Sequence, residues 1–260
     1  YYNNPNPSFG HDYSDRTYTG WSPRLALFWN VTPNLGLFAN WSKTWRAPVI
    51  DEQYEVQGLG SRTATSVDLD PERITSITLG GVTSFNNLIA QNDNLQVRAT
   101  LFHNKVEDEI FKATGVGCQN QAVNGGTIAN ACPPGAMSNY RNIGGLTIKG
   151  FELESFYNST YLFGSVSFAY AKGEHEGAYT NPWGPDVPAR DIPPTKWVLV
   201  VGTNIPAWDA QVGWMGQFIG ATDRLPSDKY SGGPGSSLGD LFYDQYGNKA
   251  YNTQGLFAKW

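Results

Sequence analysis

The links between the period-two segments of this chain alternate in length, and that alternation restricts its fold more than any motif does. Apolar and polar residues alternate over 20–31, 35–45, 73–85, 94–106, 143–158, 161–171, 196–205 and 208–220, with a ninth segment opening near 251. The links at 31–34, 86–93, 158–160 and 206–207 are short, whereas 46–72, 107–142, 172–195 and 221–250 are long. An up-and-down antiparallel sheet delivers every second connection to the same rim, so one rim carries tight turns and the other long loops. That is the layout of a transmembrane β-barrel, with periplasmic turns and extracellular loops. A soluble sandwich matches the alternation within each strand but not that of the links.

Side-chain parity agrees. In 94–106, Leu95, Val97, Ala99 and Leu101 share one face, while Gln96, Arg98, Thr100 and Asn104 share the other. In 208–220, Trp208, Ala210, Val212, Trp214 and Phe218 oppose Asp209, Gln211 and Gln217. A strand tilted by about 45° crosses the hydrocarbon in roughly 9–11 residues, which these segments supply. Trp21, Trp29, Trp41, Trp45, Tyr157, Tyr161, Trp197 and Trp208 fall near strand ends, where amphipathic rings suit headgroup depth. The chain holds 9 Trp, 14 Tyr, 13 Phe and 29 Gly with 16% charged residues, and no run long and apolar enough for a transmembrane helix. That last test does not detect barrel strands. The fold expected is all-β, residues 1–260 forming part of a large antiparallel transmembrane barrel in the bacterial outer membrane. With a net charge of -5 and no basic cluster, nucleic acid is not expected as a partner. Cys118 and Cys132 flank a polar, Gly-rich stretch and are expected to form one local disulfide in an oxidising compartment. No signal peptide is visible, and the chain reads as an excerpt of something larger.

Nucleotide-binding, metalloprotease and nucleophile-elbow motifs are missing from the sequence, so an enzyme is not expected and no metal site is assigned. The acidic pairs Asp51/Glu52 and Glu107 to Glu109 sit where strands meet loops and are read as solvated. Glu152 and Glu154 oppose Phe151 and Leu153 and are expected in the lumen, lining it or touching a filling element. His103 shares the apolar parity and is read as interfacial, whereas His11 and His175 fall in loops and are candidates to meet an external ligand. Tyr54, Tyr140, Tyr179 and Trp183 set aromatic faces among polar loop residues, suited to gripping a planar, partly polar compound or a protein surface. In WSKTWRAPVIDEQY, Trp41, Lys43 and Trp45 share one parity and rise to the outer interface. Arg46 turns to the lumen, and Pro48 lets the chain leave the ladder.

Five separated pieces then resemble the C-terminal barrel of TonB-dependent outer-membrane receptors. Trp45-Arg46-Ala47-Pro48 is similar to their Phe-Arg-Ala-Pro segment, and Leu69, Pro71 and Glu72 to their Leu-x-Pro-Glu strand entry. FHNKVEDEI, NYRNIGGLTIKGFELE and DIPPTKW follow in order. The resemblance implies a parent barrel of about 22 strands filled by an N-terminal plug, drawing energy from the TonB complex and importing scarce nutrients. The Arg-Ala-Pro form most resembles haem or haemophore receptors, which place a haem-ligating histidine between these two segments. Here Val49–Leu69 contains none, leaving Tyr54 as the ligating phenol of that interval. The resemblance thus implies haem, with or without an extracellular carrier protein, or a ferric siderophore, as transported cargo rather than as a tightly bound cofactor. A structural or adhesive barrel with protein-binding loops is the alternative of another class.

Overall fold

The structure is a computed structural model and describes residues 16–54, 69–112, 140–176, 187–189, 192–222 and 249–260. In chain order the elements are β1 (Arg24–Thr32), β2 (Leu35–Arg46), α1 (Ile50–Tyr54), β3 (Glu72–Asn86), β4 (Asn94–Lys112), β5 (Tyr140–Asn158), β6 (Leu162–Glu176), β7 (Val187–Pro188), β8 (Lys196–Ile205), β9 (Ala210–Ile219) and β10 (Tyr251–Lys259). All strands join one antiparallel sheet in the order β1-β2-β3-β4-β5-β6-β8-β9-β10, with β7 on the free stretch of β6 beyond β8. Every long strand bonds to its successor, which is the meander that the alternating links predict.

The ladder registers sort the side chains onto two walls. Phe38 faces Gly80, Gly80 faces Thr100, Thr100 faces Glu152 and Glu152 faces Ala169, which puts Arg98, Glu152 and Glu154 on one wall. The opposite wall carries Ala39, Leu79, Leu101, Phe151 and Tyr170 in a single row. Leu79 and Leu101 are 50% and 56% exposed. Among the described residues the buried apolar side chains are Pro48, Leu69, Ile110, Ala189 and Ile192, all at the long-loop rim. A sandwich buries one face of each sheet against another, and here no second sheet covers the apolar wall. Its aliphatic surface is solvated by lipid at no cost, whereas the same area in water opposes folding by about 25 cal/mol per Å².

The polar wall is smoothed by aromatic side chains laid over glycines. Phe38 is paired in register with Gly80, Phe102 with Gly150, Phe163 with Gly202 and Phe257 with Gly213. A Cβ on any of these glycines would approach a phenyl carbon closer than 3.0 Å. The ring shields a ladder that glycine would otherwise leave bare. Arg98 in turn stacks its guanidinium 5.4 Å from the Phe38 centroid.

The short turns have local causes. In the 87–93 turn, the Asp93 carboxylate accepts the backbone N–H groups of Leu88, Ile89 and Ala90, each at 2.8 Å, and the Tyr157 hydroxyl at 3.1 Å. Burial alone would raise the Asp93 carboxyl, but those three amides and the Tyr157 hydroxyl outweigh it and hold the group below its ordinary value. Asn87 and Asn92 take positive φ there, the left-handed region that asparagine tolerates best after glycine. Trp208 is not in a strand as expected: Pro206–Trp208 form a 3-10 turn, and β9 starts two residues later.

The larger departure is at the other rim, where β4 runs on to Lys112, β5 starts at Tyr140 and β6 reaches Glu176. Residues 107–112, 140–142 and 172–176, read as loop, are ladder. Charged side chains broke the hydrophobic alternation there, but backbone pairing continues above the bilayer because it needs only partners, not apolar faces.

Candidate functional site

The residues singled out from the sequence converge on the rim of long connections. Pro48 is buried and ends β2, and the chain turns at once into the single-turn α1. Val49 accepts the backbone N–H of Glu52 and Gln53, while Glu52 reaches back to accept the Val49 N–H at 2.9 Å. Asp51 and Glu52 thus lie at the electropositive helix start, where carboxylates are favourable.

Arg46 is the joint of this region. Its Nη1 donates to both carboxylate oxygens of Glu52, at 2.9 and 2.8 Å, and its Nε donates to Glu72 Oε2 at 2.6 Å. The second Glu72 oxygen accepts the buried Ile110 N–H at 2.8 Å. One guanidinium and two carboxylates therefore fasten the end of β2, the helix α1, the start of β3 and the extension of β4. Arginine suits the role because its planar fork satisfies two carboxylates at once. Arg46, expected on the lumenal side, meets the acidic loop residue Glu52 there. The reading of Glu52 as solvated does not hold: its side chain is 14% exposed, because the partner lies on the same rim rather than in water.

Two neutral contacts extend the joint. Asn142 accepts the Asp70 N–H at 2.8 Å and donates to the carbonyls of Asp70 and Asp108 at 2.9 and 2.6 Å. Gln53 donates to the Tyr18 hydroxyl at 2.7 Å, bringing the segment before β1 onto α1.

His175 is not a loop residue. It lies on β6 opposite Leu146, on the lumenal wall, 7% exposed, with Nδ1 2.7 Å from Glu109 Oε2. Glu109 likewise is paired with that imidazole, its side chain 12% exposed rather than solvated, whereas Glu107 and Asp108 keep roughly half-exposed side chains. The pair spans β5 at Gly144 and Gly145. Gly145 has φ +151, and a Cβ there would meet the Val106 carbonyl, so this glycine pair lets β4 and β6 approach across the intervening strand. Beside it, the Ala189 N–H donates to the Gly173 carbonyl at 2.9 Å, folding the segment after β7 over the lumenal wall.

Glu152 and Glu154 occupy the lumenal wall as expected, and His103 the outward one. Tyr54 closes α1, and Tyr140 opens β5. His11, Tyr179, Trp183, Cys118 and Cys132 lie outside the described residues. Sequence reasoning missed Asn142 and Gln53, whose partners are 72 and 35 residues away. It also missed Glu109 as a histidine partner, for which the acidic cluster was the only signal.

Comparison with known proteins agrees with this architecture. The family model described as "TonB dependent receptor-like, beta-barrel" matches residues 1–260. The chain is 42% identical over 255 residues to the TonB-dependent heme receptor A of Haemophilus influenzae, which covers 97% of this chain and 33% of that protein. It spans about a third of the length of the curated relatives it matches first. Among solved structures, Copper transporter OprC superposes with TM-score 0.61 at 16% identity, covering 91% of this chain and 31% of that one. The Serratia marcescens hemophore receptor HasR, in complex with its hemophore HasA and heme, superposes with TM-score 0.51 at 17% identity, covering 91% and 39%. The chain belongs to the TonB-dependent receptor β-barrel family, an outer-membrane barrel with long extracellular connections and short periplasmic turns.

Proposed function

We propose that this chain is the cargo-facing portion of a barrel of about 22 strands, closed by an N-terminal plug, that takes up haem across the outer membrane with energy from the TonB complex. The observation that carries the proposal is the 42% identity, over nearly the whole chain, to a TonB-dependent heme receptor. Cargo docks first in the external vestibule, delivered free or by an extracellular haem-carrier protein, against aromatic loop faces including Tyr54, Tyr140, Tyr179 and Trp183. It then crosses the lumen past Glu152 and Glu154 once the plug rearranges. No covalent bond of the cargo is made or broken in this process. Selection is by differential binding, and release is coupled to an external energy source.

His175 is a candidate haem ligand, supported by its position near the extracellular end of β6, and the Glu109 carboxylate 2.7 Å from its Nδ1 would orient the ring as carboxylates do for ligating imidazoles. Tyr54 and His11 are the other candidate iron ligands. A ferric siderophore is the second reading, favoured by the lack of any histidine between Val49 and Leu69.

The test is a haemin titration of the full-length receptor in detergent, followed by the Soret band, with ferric siderophores in parallel. Saturable binding with a Soret shift that changes in His175→Ala or Tyr54→Phe supports the assignment. Saturable siderophore binding with an unperturbed haemin spectrum overturns it.

A further inference from the structure

Both peptide groups that flank Glu109 are held by side chains from other elements. The N–H between Glu109 and Ile110 donates to Glu72 Oε1 at 2.8 Å, and the carbonyl between Asp108 and Glu109 accepts from Asn142 Nδ2 at 2.6 Å. Neither holder stands alone. Glu72 is fixed by Arg46, which also grips Glu52 on α1, at the entry of the connection between β2 and β3. Asn142 accepts the Asp70 N–H and donates to the Asp70 carbonyl, at the exit of that same connection. The residues that anchor the two ends of the segment carrying Tyr54 therefore meet on one residue of β4.

The backbone of β4 explains why such holding is needed. Glu107 pairs with Lys105 and Asp108 with Arg73, so two consecutive side chains reach cations on the outward wall. Glu109 has the register parity of Glu107, yet its carboxylate lies against His175 on the lumenal wall. Between them Asp108 has φ +56 and is missing from the pairing of β4 with β5. An irregular residue of this kind re-aims the side chain that follows it. Outside glycine, the left-handed conformation lasts only where its neighbours over-determine it. Asn142 holds the Asp108 main chain and Arg73, at 3.5 Å, its carboxylate.

We propose that Glu72 and Asn142 are positioning residues for His175, acting through Glu109. They clamp the turned backbone on either side of this glutamate, and the glutamate sets the imidazole. His175 and the segment carrying Tyr54 thus hang on one frame, which fixes the two candidate iron contacts relative to each other. That the imidazole so placed meets a haem iron rests on the proposed haem uptake; the clamp itself does not.

The test uses the full-length receptor in detergent, without cargo, and follows carbethoxylation of His175 by diethyl pyrocarbonate with peptide mass spectrometry. Asn142→Ala and Glu72→Ala alter neither the imidazole nor its partner carboxylate. Each should speed the reaction roughly tenfold, as expected for the loss of one buried hydrogen bond, toward the rate of Glu109→Ala. Asn142→Asp keeps an acceptor for the Asp70 N–H but has no donor for the Asp108 carbonyl, and should behave as Asn142→Ala. Gly80→Val, a crowding substitution on the lumenal wall away from this rim, should react as the parent does. Unchanged rates in Asn142→Ala and Glu72→Ala, or an equal gain in Gly80→Val, overturn the proposal. A haemin titration of the same variants separates the clamp from the cargo. Soret bands displaced in one direction by Glu109→Gln, Glu72→Ala and Asn142→Ala support positioning of an iron ligand. A band indifferent to His175→Ala, beside faster carbethoxylation in the clamp variants, overturns the haem ligand and upholds the clamp. An unaltered heat-shifted gel mobility confirms that the variants are folded.

Discussion

Replacing Glu72 by alanine removes the one carboxylate that joins the end of β2 to the extension of β4, so its cost follows from two contacts. The first is the 2.8 Å bond from the buried Ile110 N–H. With its acceptor gone, that donor has no other side-chain partner among the described residues, and an orphaned buried N–H costs about 1–3 kcal/mol. The second is the 2.6 Å bond from Arg46 Nε. Arg46 keeps 36% of its side chain exposed and retains Glu52, so this loss is discounted to about 1 kcal/mol or less. Together the two give about 3 kcal/mol, which is roughly a hundred-fold increase in local opening.

Amide hydrogen exchange of the full-length receptor in detergent reads this change directly, since local openings set exchange where global unfolding is rare. Glu72→Ala should speed exchange in peptides covering 107–112 and 49–54, leaving 94–102 unaffected. Glu52→Ala should speed it in 49–54 alone, because Glu52 touches Arg46 and the Val49 N–H but not Ile110. If Glu72→Ala alters protection at 107–112 by less than about threefold, the carboxylate is not what holds the β4 extension, and the joint described above is wrong.

Two further perturbations probe the wall and the turns. Gly80→Val would set new carbon against the Phe38 ring and the Ala99 carbonyl. Overpacking of this kind costs about 1–3 kcal/mol, read as a lower urea midpoint in lipid vesicles, and an unchanged midpoint would mean that the ring moves aside freely. The Asp93 carboxyl is held below its ordinary value, so its stabilising contribution is complete above that ordinary value and is lost as pH falls through the depressed folded value. Proteolysis at 87–93 should therefore rise only in strongly acidic buffer for the parent protein. Asp93→Asn should be nicked there already at neutral pH, and equal resistance of the two would show that the turn does not need the charge.

The sheet was legible because its two walls meet different solvents: alternation along 94–106 and 208–220 reports lipid on one side and water on the other, residue by residue. Where both walls meet water that contrast vanishes. The ladder at 107–112, 140–142 and 172–176 was accordingly read as loop, and His175 was placed on a loop for the same reason. The Arg46 environment was half legible. Glu52 lies six residues on and within reach of any tight turn, but the bond from Ile110 to Glu72 spans 38 residues and depends on β4 continuing past the bilayer. No local pattern carries that information.

The outward cations show the same limit from the other direction. Lys43, Lys105, Lys149 and Lys172 are spaced so that no window of the sequence looks basic, and a linear search discards each as a single charge. Antiparallel pairing converts separation along the chain into separation across the sheet, where residues on neighbouring strands lie about 5 Å apart. Position on the wall then depends on the sum of paired residue numbers and on parity, both set by the turns. The Asp93 clasp fixes the register of β3 on β4, so the periplasmic turn determines which residues of β4 stand level with Lys43 at the far rim. A one-residue slip at 87–93 would carry His103 and Lys105 to the lumenal wall and bring Phe102 and Asn104 outward. The arrangement of side chains at the extracellular rim is therefore set partly by a turn on the opposite side of the membrane.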